Sequence, residues 1–264
     1  EENSHLYVYE GGGYAALSGC SMALVPSSNG IIDPADLRKR IRKSKGSRSH
    51  FPNASLICLE NTSNRGGGTC YPLEILEEVE QVASMTQCKL HLDGARLFNA
   101  VEASEQDTNS LVSMFDSVSV CLSKGLGAPV GSVLVGSMAF IDEAHRWRKM
   151  FGGGMRQSGV LAAAGIYALD HSLPLLKGDH ARANRLAESL SEMDGLSVKL
   201  ENVQTNMVYV RTESPASEWQ QNLSDQGLLC FALDENSLRL VTHLHIDDQK
   251  IDQAIQIFTK ISSQ

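Results

Sequence analysis

The six cysteines of this chain (Cys20, Cys58, Cys70, Cys88, Cys121 and Cys230) include no CxxC pair. So few cysteines in 264 residues do not build a disulfide scaffold, and they point to a reducing, cytoplasmic setting. No apolar run approaches the roughly twenty residues of a membrane span. Apart from residues 38–45, no dense Lys/Arg stripe occurs, and 23 basic against 31 acidic residues leave a formal charge of −8. A nucleic-acid partner is therefore not expected. Internal repeats and low-complexity tracts are also lacking. The chain begins at Glu1 and not at Met, so any targeting peptide ahead of it would go unseen.

What remains is ordinary globular composition, 42% hydrophobic and 20% charged, in a chain long enough for one large domain and one small. Apolar runs recur at 55–59, 89–92, 117–122 and 131–135. A helical pattern (Leu73, Ile75, Leu76, Val79, Val82, Ala83), begun by Pro72, separates the first two. Strands alternating with helices predict an α/β fold with a mainly parallel, two-face-covered sheet. The run at 131–135 follows too closely for a crossover helix, so it is expected antiparallel, at an edge. Leu6-Tyr7-Val8-Tyr9 also reads as a strand. Residues 38–45 read as the cationic end of a helix begun at Pro34.

From 139 to 171 the pattern is helical, with a break at 151–154, because three glycines inside a helix would cost about 1 kcal/mol each. Beyond Pro174 the grammar changes to helices at 181–193, 216–226 and from Asp247, with strands at 197–200, 206–211, 228–233 and 237–242. The division expected is a large domain over 1–172 and a small C-terminal α+β domain over 173–264.

Two strand ends carry the chemistry. One apolar run ends in Asp93-Gly94-Ala95-Arg96, and the next runs into Ser123-Lys124-Gly125. A helix-length segment between them makes a βαβ unit, which delivers Asp93 and Lys124 to the same carboxyl edge of a parallel sheet. Each alone is ordinary turn chemistry. Together, an amine and a carboxylate suit pyridoxal 5′-phosphate (PLP): Lys124 would bind its aldehyde covalently, and Asp93 would keep its pyridine nitrogen protonated.

With those residues in place, the sequence closely resembles the threonine aldolases of the aromatic amino acid β-eliminating lyase group, of PLP fold type I. The segments 91–100 (HLDGARLFNA), 119–132 (SVCLSKGLGAPVGS), 146–159 (RWRKMFGGGMRQSG) and 239–243 (RLVTH) carry the likeness over nearly the whole chain. The resemblance implies a PLP fold type I large domain and cleavage of threonine or allo-threonine to glycine and acetaldehyde. It assigns Arg96 and Arg239 to the substrate carboxylate, which arginine forks grip bidentately, and places Arg96 among the cofactor contacts as well. It assigns Arg156 to a phosphate across a subunit boundary, and His5 to stacking on the cofactor ring near the substrate hydroxyl. It also implies a homodimer or homotetramer meeting at the glycine break.

Two departures from the family pattern stand out. Family members begin with a segment this chain lacks, bearing a Ser-Gly-Thr phosphate cup. Residues 1–264 alone are therefore expected to hold PLP weakly. Many members also read Glu-Asn-Thr-His-Asn where this chain has Glu60-Asn61-Thr62-Ser63-Asn64. Ser63 cannot replace an imidazole as a base, although it can hydrogen-bond a water at the substrate. That departure keeps a PLP-dependent β-elimination open as an alternative, and the missing segment keeps open a non-catalytic homologue. His91, His145, His171 and His180 are read as structural. His243 and His245 lack acidic or thiol partners nearby, so no metal site is expected.

Overall fold

The solid apolar runs become the strands of one sheet in the computed structural model, which describes residues 1–43 and 50–263. The chain enters through two short helices, α1 (His5–Val8) and α2 (Gly13–Ala16), a ribbon of β1 (Ser27–Ser28) and β2 (Ile31–Ile32), and α3 (Pro34–Arg40). There follow β3 (Leu56–Glu60), α4 (Leu73–Thr86), β4 (Lys89–Gly94), α5 (Leu97–Ser104), α6 (Thr108–Val112), β5 (Ser117–Cys121) and β6 (Ser132–Gly136). The sheet order is β3-β4-β5-β6. The first two pairings are parallel and β5–β6 is antiparallel, so the late strand takes the edge, as its short connection requires.

Burial follows the patterns. Leu59, Leu90, Leu92, Val118 and Val120 pack against Leu76, Val79 and Val82 of α4 in one core cluster. Pro72 stands at the N-cap of α4, where its missing N–H costs nothing. Asp33 caps α3 by accepting the Ala35 N–H at 2.7 Å. That helix carries Arg38, Lys39 and Arg40 in its last turn, as expected, and ends at Arg40, partway through the cationic run, because Ile41 is already extended; Ser44 and Lys45 lie outside the described residues. Residues 6–9, expected as a strand, form α1 and its C-cap instead. The His5 N–H is taken by a distant side chain, the Glu60 carboxylate, at 2.6 Å, and the segment finds no strand partner.

Helices α7 (Met138–Met150) and α8 (Gly159–His171) flank the expected glycine break, where Gly152 has φ +88°. The faces of β6 and α7 expose Val133, Leu134, Val135 and Trp147. A short 3₁₀ turn leads into α9 (Leu176–Ser191), β7 (Leu196–Val198), β8 (Met207–Thr212), α10 (Ala216–Asp225), β9 (Phe231–Asp234), β10 (Ser237–Val241) and α11 (Asp248–Ser262). The strands form a second, wholly antiparallel sheet in the order β7-β8-β10-β9. Ala183, Leu186, Leu190, Val208, Val210, Leu238 and the fully buried Phe258 make its core. The strand expected at 197–200 is cut short, since Leu200–Asn202 turns into a 3₁₀ helix.

Polar and apolar contacts tie this second unit to the first. Leu176 packs with Leu126, Ala128 and Ala168. Thr205 donates to the Gly68 carbonyl at 2.8 Å, and Asn99 meets His180 at 3.0 Å. The tyrosine hydroxyl of Tyr209, in β8, donates to the Asn64 carbonyl at 2.5 Å. These bonds fix where β10 stands relative to the carboxyl ends of β3, β4 and β5.

Candidate active site

Register alone brings the first pair of site residues together. Glu60 is the cross-strand partner of Asp93, and Asp93 that of Ser119. Lys124 follows three residues beyond the end of β5, so both expected residues lie at the carboxyl edge of adjacent parallel strands. Close approach there needs glycine: a Cβ on Gly94 would lie 3.0 Å from the Ser119 carbonyl oxygen. Asp93 accepts the Ala95 N–H at 3.1 Å on one carboxylate oxygen. Lys124 sits in a tight loop, its carbonyl accepting the Gly127 N–H at 2.9 Å. Gly127 holds φ +74°, and the side chain of Lys124 is exposed.

Two arginines lie close to each other, one following β4 and one on β10. Arg96 occupies the N-cap position of α5, and burial, followed by the neighbouring charge of Arg239, lowers its pKa. Arg239, on β10, donates from Nη1 to Asn64 Oδ1 at 3.0 Å and covers the Phe231 ring at 5.3 Å. Its Nε is buried without a hydrogen-bond partner. Among the described residues neither arginine makes an ion pair. Two neighbouring, largely desolvated guanidiniums with a spare donor form a receptor for an anion, with a carboxylate as the geometric match. Burial raises the Tyr209 phenol pKa, while Arg239, Arg65 and Arg96 pull it back.

His5 reaches the same edge through its backbone bond to Glu60, the strand partner of Asp93. Its ring Nε2 lies 2.7 Å from Glu10 Oε1, and the ring tilts over Tyr9 at 4.8 Å. Ser63 behaves differently. It is 1% exposed, its hydroxyl accepts the Gly66 N–H at 3.1 Å, and Gly30 of the β1–β2 turn packs directly against it. Arg156 lies apart, on the exposed connection between α7 and α8. There it lines an open cleft of about 500 Å³ with His145, Arg146, Arg148 and Lys149, a cleft that includes none of Lys124, Asp93, Arg96 or Arg239.

Four of the other histidines have local partners or burial. His91 is hydrogen-bonded to Ser117 Oγ at 2.8 Å. Burial lowers the His180 pKa to about 4. The rings of His243 and His245 meet edge to face, and no group of three metal-binding side chains occurs among the described residues. Three residues near the candidate site had no role in the sequence reading: Glu60 and Asn64, which only bound the motif around Ser63, and Tyr209. For Glu60 a signal existed, since a carboxylate ending a solid apolar strand is the pattern that singled out Asp93.

The donor set fits PLP. An exposed amine and a carboxylate with one oxygen free of protein donors stand on neighbouring strand ends. The unpaired Arg239 Nε faces the need of a substrate carboxylate.

Comparison with known proteins agrees. A profile of the beta-eliminating lyase family matches residues 1–213. Low-specificity L-threonine aldolase 1 of Arabidopsis thaliana is 42% identical over 262 residues, covering 97% of this chain and 73% of the relative. The low specificity L-threonine aldolase of Escherichia coli K12 is 41% identical over 249 residues, covering 94% and 72%. In fold, the threonine aldolase of Leishmania major superposes with a TM-score of 0.80 at 17% identity, covering 99% of this chain and 76% of that one. The chain belongs to the beta-eliminating lyase family, in its threonine aldolase group.

Proposed function

We propose that this chain is a PLP-dependent carbon–carbon lyase that cleaves L-threonine or L-allo-threonine to glycine and acetaldehyde. The observation that supports this reading is that β4 and β5, which lead to Asp93 and Lys124, are parallel neighbours, while Arg239, close enough to Arg96 to perturb it, has a buried Nε without a partner. When bound, PLP supplies the electron sink for the pair released at Cα. Lys124 Nζ would hold the cofactor by its aldehyde carbon, and Asp93 would keep its pyridine nitrogen protonated. Arg96 and Arg239 would bind the substrate carboxylate and so fix the orientation of Cα–Cβ. The Glu10 carboxylate accepts from His5 Nε2–H, which leaves Nδ1 free to take the β-hydroxyl proton as Cα–Cβ breaks. Such an enzyme would serve threonine breakdown and glycine formation.

The test uses the protein purified with PLP. It is expected to show the cofactor's lysine-bound absorption band, lost in Lys124→Ala, and to release glycine and acetaldehyde from threonine. An unchanged spectrum in that variant would refute the role of Lys124. A second reading, β-elimination, is motivated by Ser63 standing where many family members have His, because a hydroxyl is no base and weaker deprotonation of the substrate hydroxyl penalises Cα–Cβ cleavage. Pyruvate and ammonia from serine, in place of glycine and aldehyde from threonine, would select it.

We further infer a cytoplasmic homodimer or homotetramer. The exposed apolar residues of β6 and α7 and the exposed glycine break support a subunit contact that brings Arg156 to a neighbouring cofactor phosphate. Residues 1–172 would form the cofactor-binding domain and 173–264 the small domain.

A further inference from the structure

Glu60 ends β3 and is only 5% exposed, yet it bears a carboxylate. Each of its oxygens has one partner. Oε2 accepts the His5 N–H at 2.6 Å, and Oε1 accepts the Asn64 N–H at 2.7 Å. Asn64 in turn faces the small sheet. Its Oδ1 takes the Arg239 Nη1–H, and its carbonyl takes the Tyr209 hydroxyl. One buried carboxylate therefore joins the segment bearing the imidazole to the residue that steadies the carboxylate-binding arginine. It does so beside Asp93, its partner in the sheet register.

The surrounding charges are Asp93, His5 and Arg96. Burial raises the Glu60 pKa, with Asp93 adding to the rise, while the two backbone donors and His5 oppose it. A buried anion costs free energy unless donors and a cation offset it, and here both donors belong to segments that carry site residues. A Gln of the same shape offers one acceptor and one N–H₂, so one of the two backbone N–H groups would face a donor.

We propose that Glu60 is a positioning residue for the reaction, setting His5 directly and Arg239 through Asn64 from a single carboxylate. This rests on the threonine aldolase reading, and the wild-type holoenzyme tests that reading separately: if it does not cleave threonine, the reading fails before any Glu60 variant is compared.

The experiment compares wild type, Glu60→Gln, Asn64→Ala and the double variant as holoenzymes. It records KM and kcat for L-threonine and, apart from turnover, the spectral titration of the bound cofactor with glycine. Glu60→Gln is expected to raise KM and weaken glycine binding about tenfold, the scale of one charge-assisted hydrogen bond, and to lower kcat through His5. Asn64→Ala, which leaves the backbone N–H to Glu60 in place, is expected to raise KM more than it lowers kcat. In the double variant the KM effects should not multiply, because both act on Arg239 through the same chain of bonds. A merely structural Glu60 would lower the melting temperature without this coupling. Glu60→Gln parameters within twofold of wild type, or KM effects that multiply independently, would overturn the proposal. If Glu60→Gln fails to fold, Asn64→Ala still decides: an unchanged KM and glycine affinity would overturn it as well.

Discussion

Replacing Arg239 by Lys keeps the charge and removes the fork. In the structure Arg239 Nη1 bonds Asn64 Oδ1 at 3.0 Å, the guanidinium covers Phe231, and Nε is buried with no partner. The unpaired Nε is the donor that a bidentate carboxylate contact would use together with an Nη. A lysine ammonium reaching the same anion makes a point contact and forfeits at least one charge-assisted hydrogen bond, worth about 1.5–3 kcal/mol. At about 1.4 kcal/mol per factor of ten, KM for L-threonine should rise roughly ten- to a hundredfold. In the substrate-free protein the terms oppose. Lys removes an unsatisfied buried donor that costs about 1–3 kcal/mol, but it also loses the Asn64 hydrogen bond and the guanidinium contact with Phe231, so the melting temperature should change little. Acetaldehyde release, followed by its enzymatic reduction with NADH, gives KM. Calorimetry on the same preparation gives stability. A KM within twofold of wild type would refute the carboxylate assignment, and an unchanged melting temperature shows that a raised KM does not come from unfolding.

Two further outcomes test the scaffold. Because His180 has its pKa lowered to about 4 by burial, while an unfolded histidine titrates near 6.5, protons favour the unfolded chain between those values. Stability should be complete above about pH 6.5 and fall by about 3 kcal/mol as the pH drops to about 4. His180→Gln should flatten that stretch of the pH–melting profile, and an unaltered slope would show that His180 does not drive it. Phe258→Ala should cost about 3–5 kcal/mol by denaturant titration, since the ring is fully buried and stacks on Trp219 at 5.9 Å. A loss below 1 kcal/mol would mean that the second core collapses around the gap.

The sequence by itself determined the sheet that carries the chemistry. The strands ending at Asp93 and before Lys124 are solid apolar runs with a helix-length link, and a βαβ connection leaves little choice but a shared carboxyl edge. The antiparallel edge strand β6 and the glycine break before α8 were legible for the same reason, as each signal lies within a few residues. Tertiary structure decided the rest. Leu6-Tyr7-Val8-Tyr9 alternates like a strand, but its fate depended on a carboxylate 55 residues away that takes the His5 N–H. Ser63 is buried where its hydroxyl accepts the Gly66 N–H and Gly30 packs against it from the β1–β2 turn, a contact that local pattern does not encode. The Asn64 links to Tyr209 and Arg239 span 145 and 175 residues. Such pairings follow from how the second sheet docks on the first, through the bonds of Thr205 and His180 and the packing of Leu176, and propensity and periodicity are blind to docking.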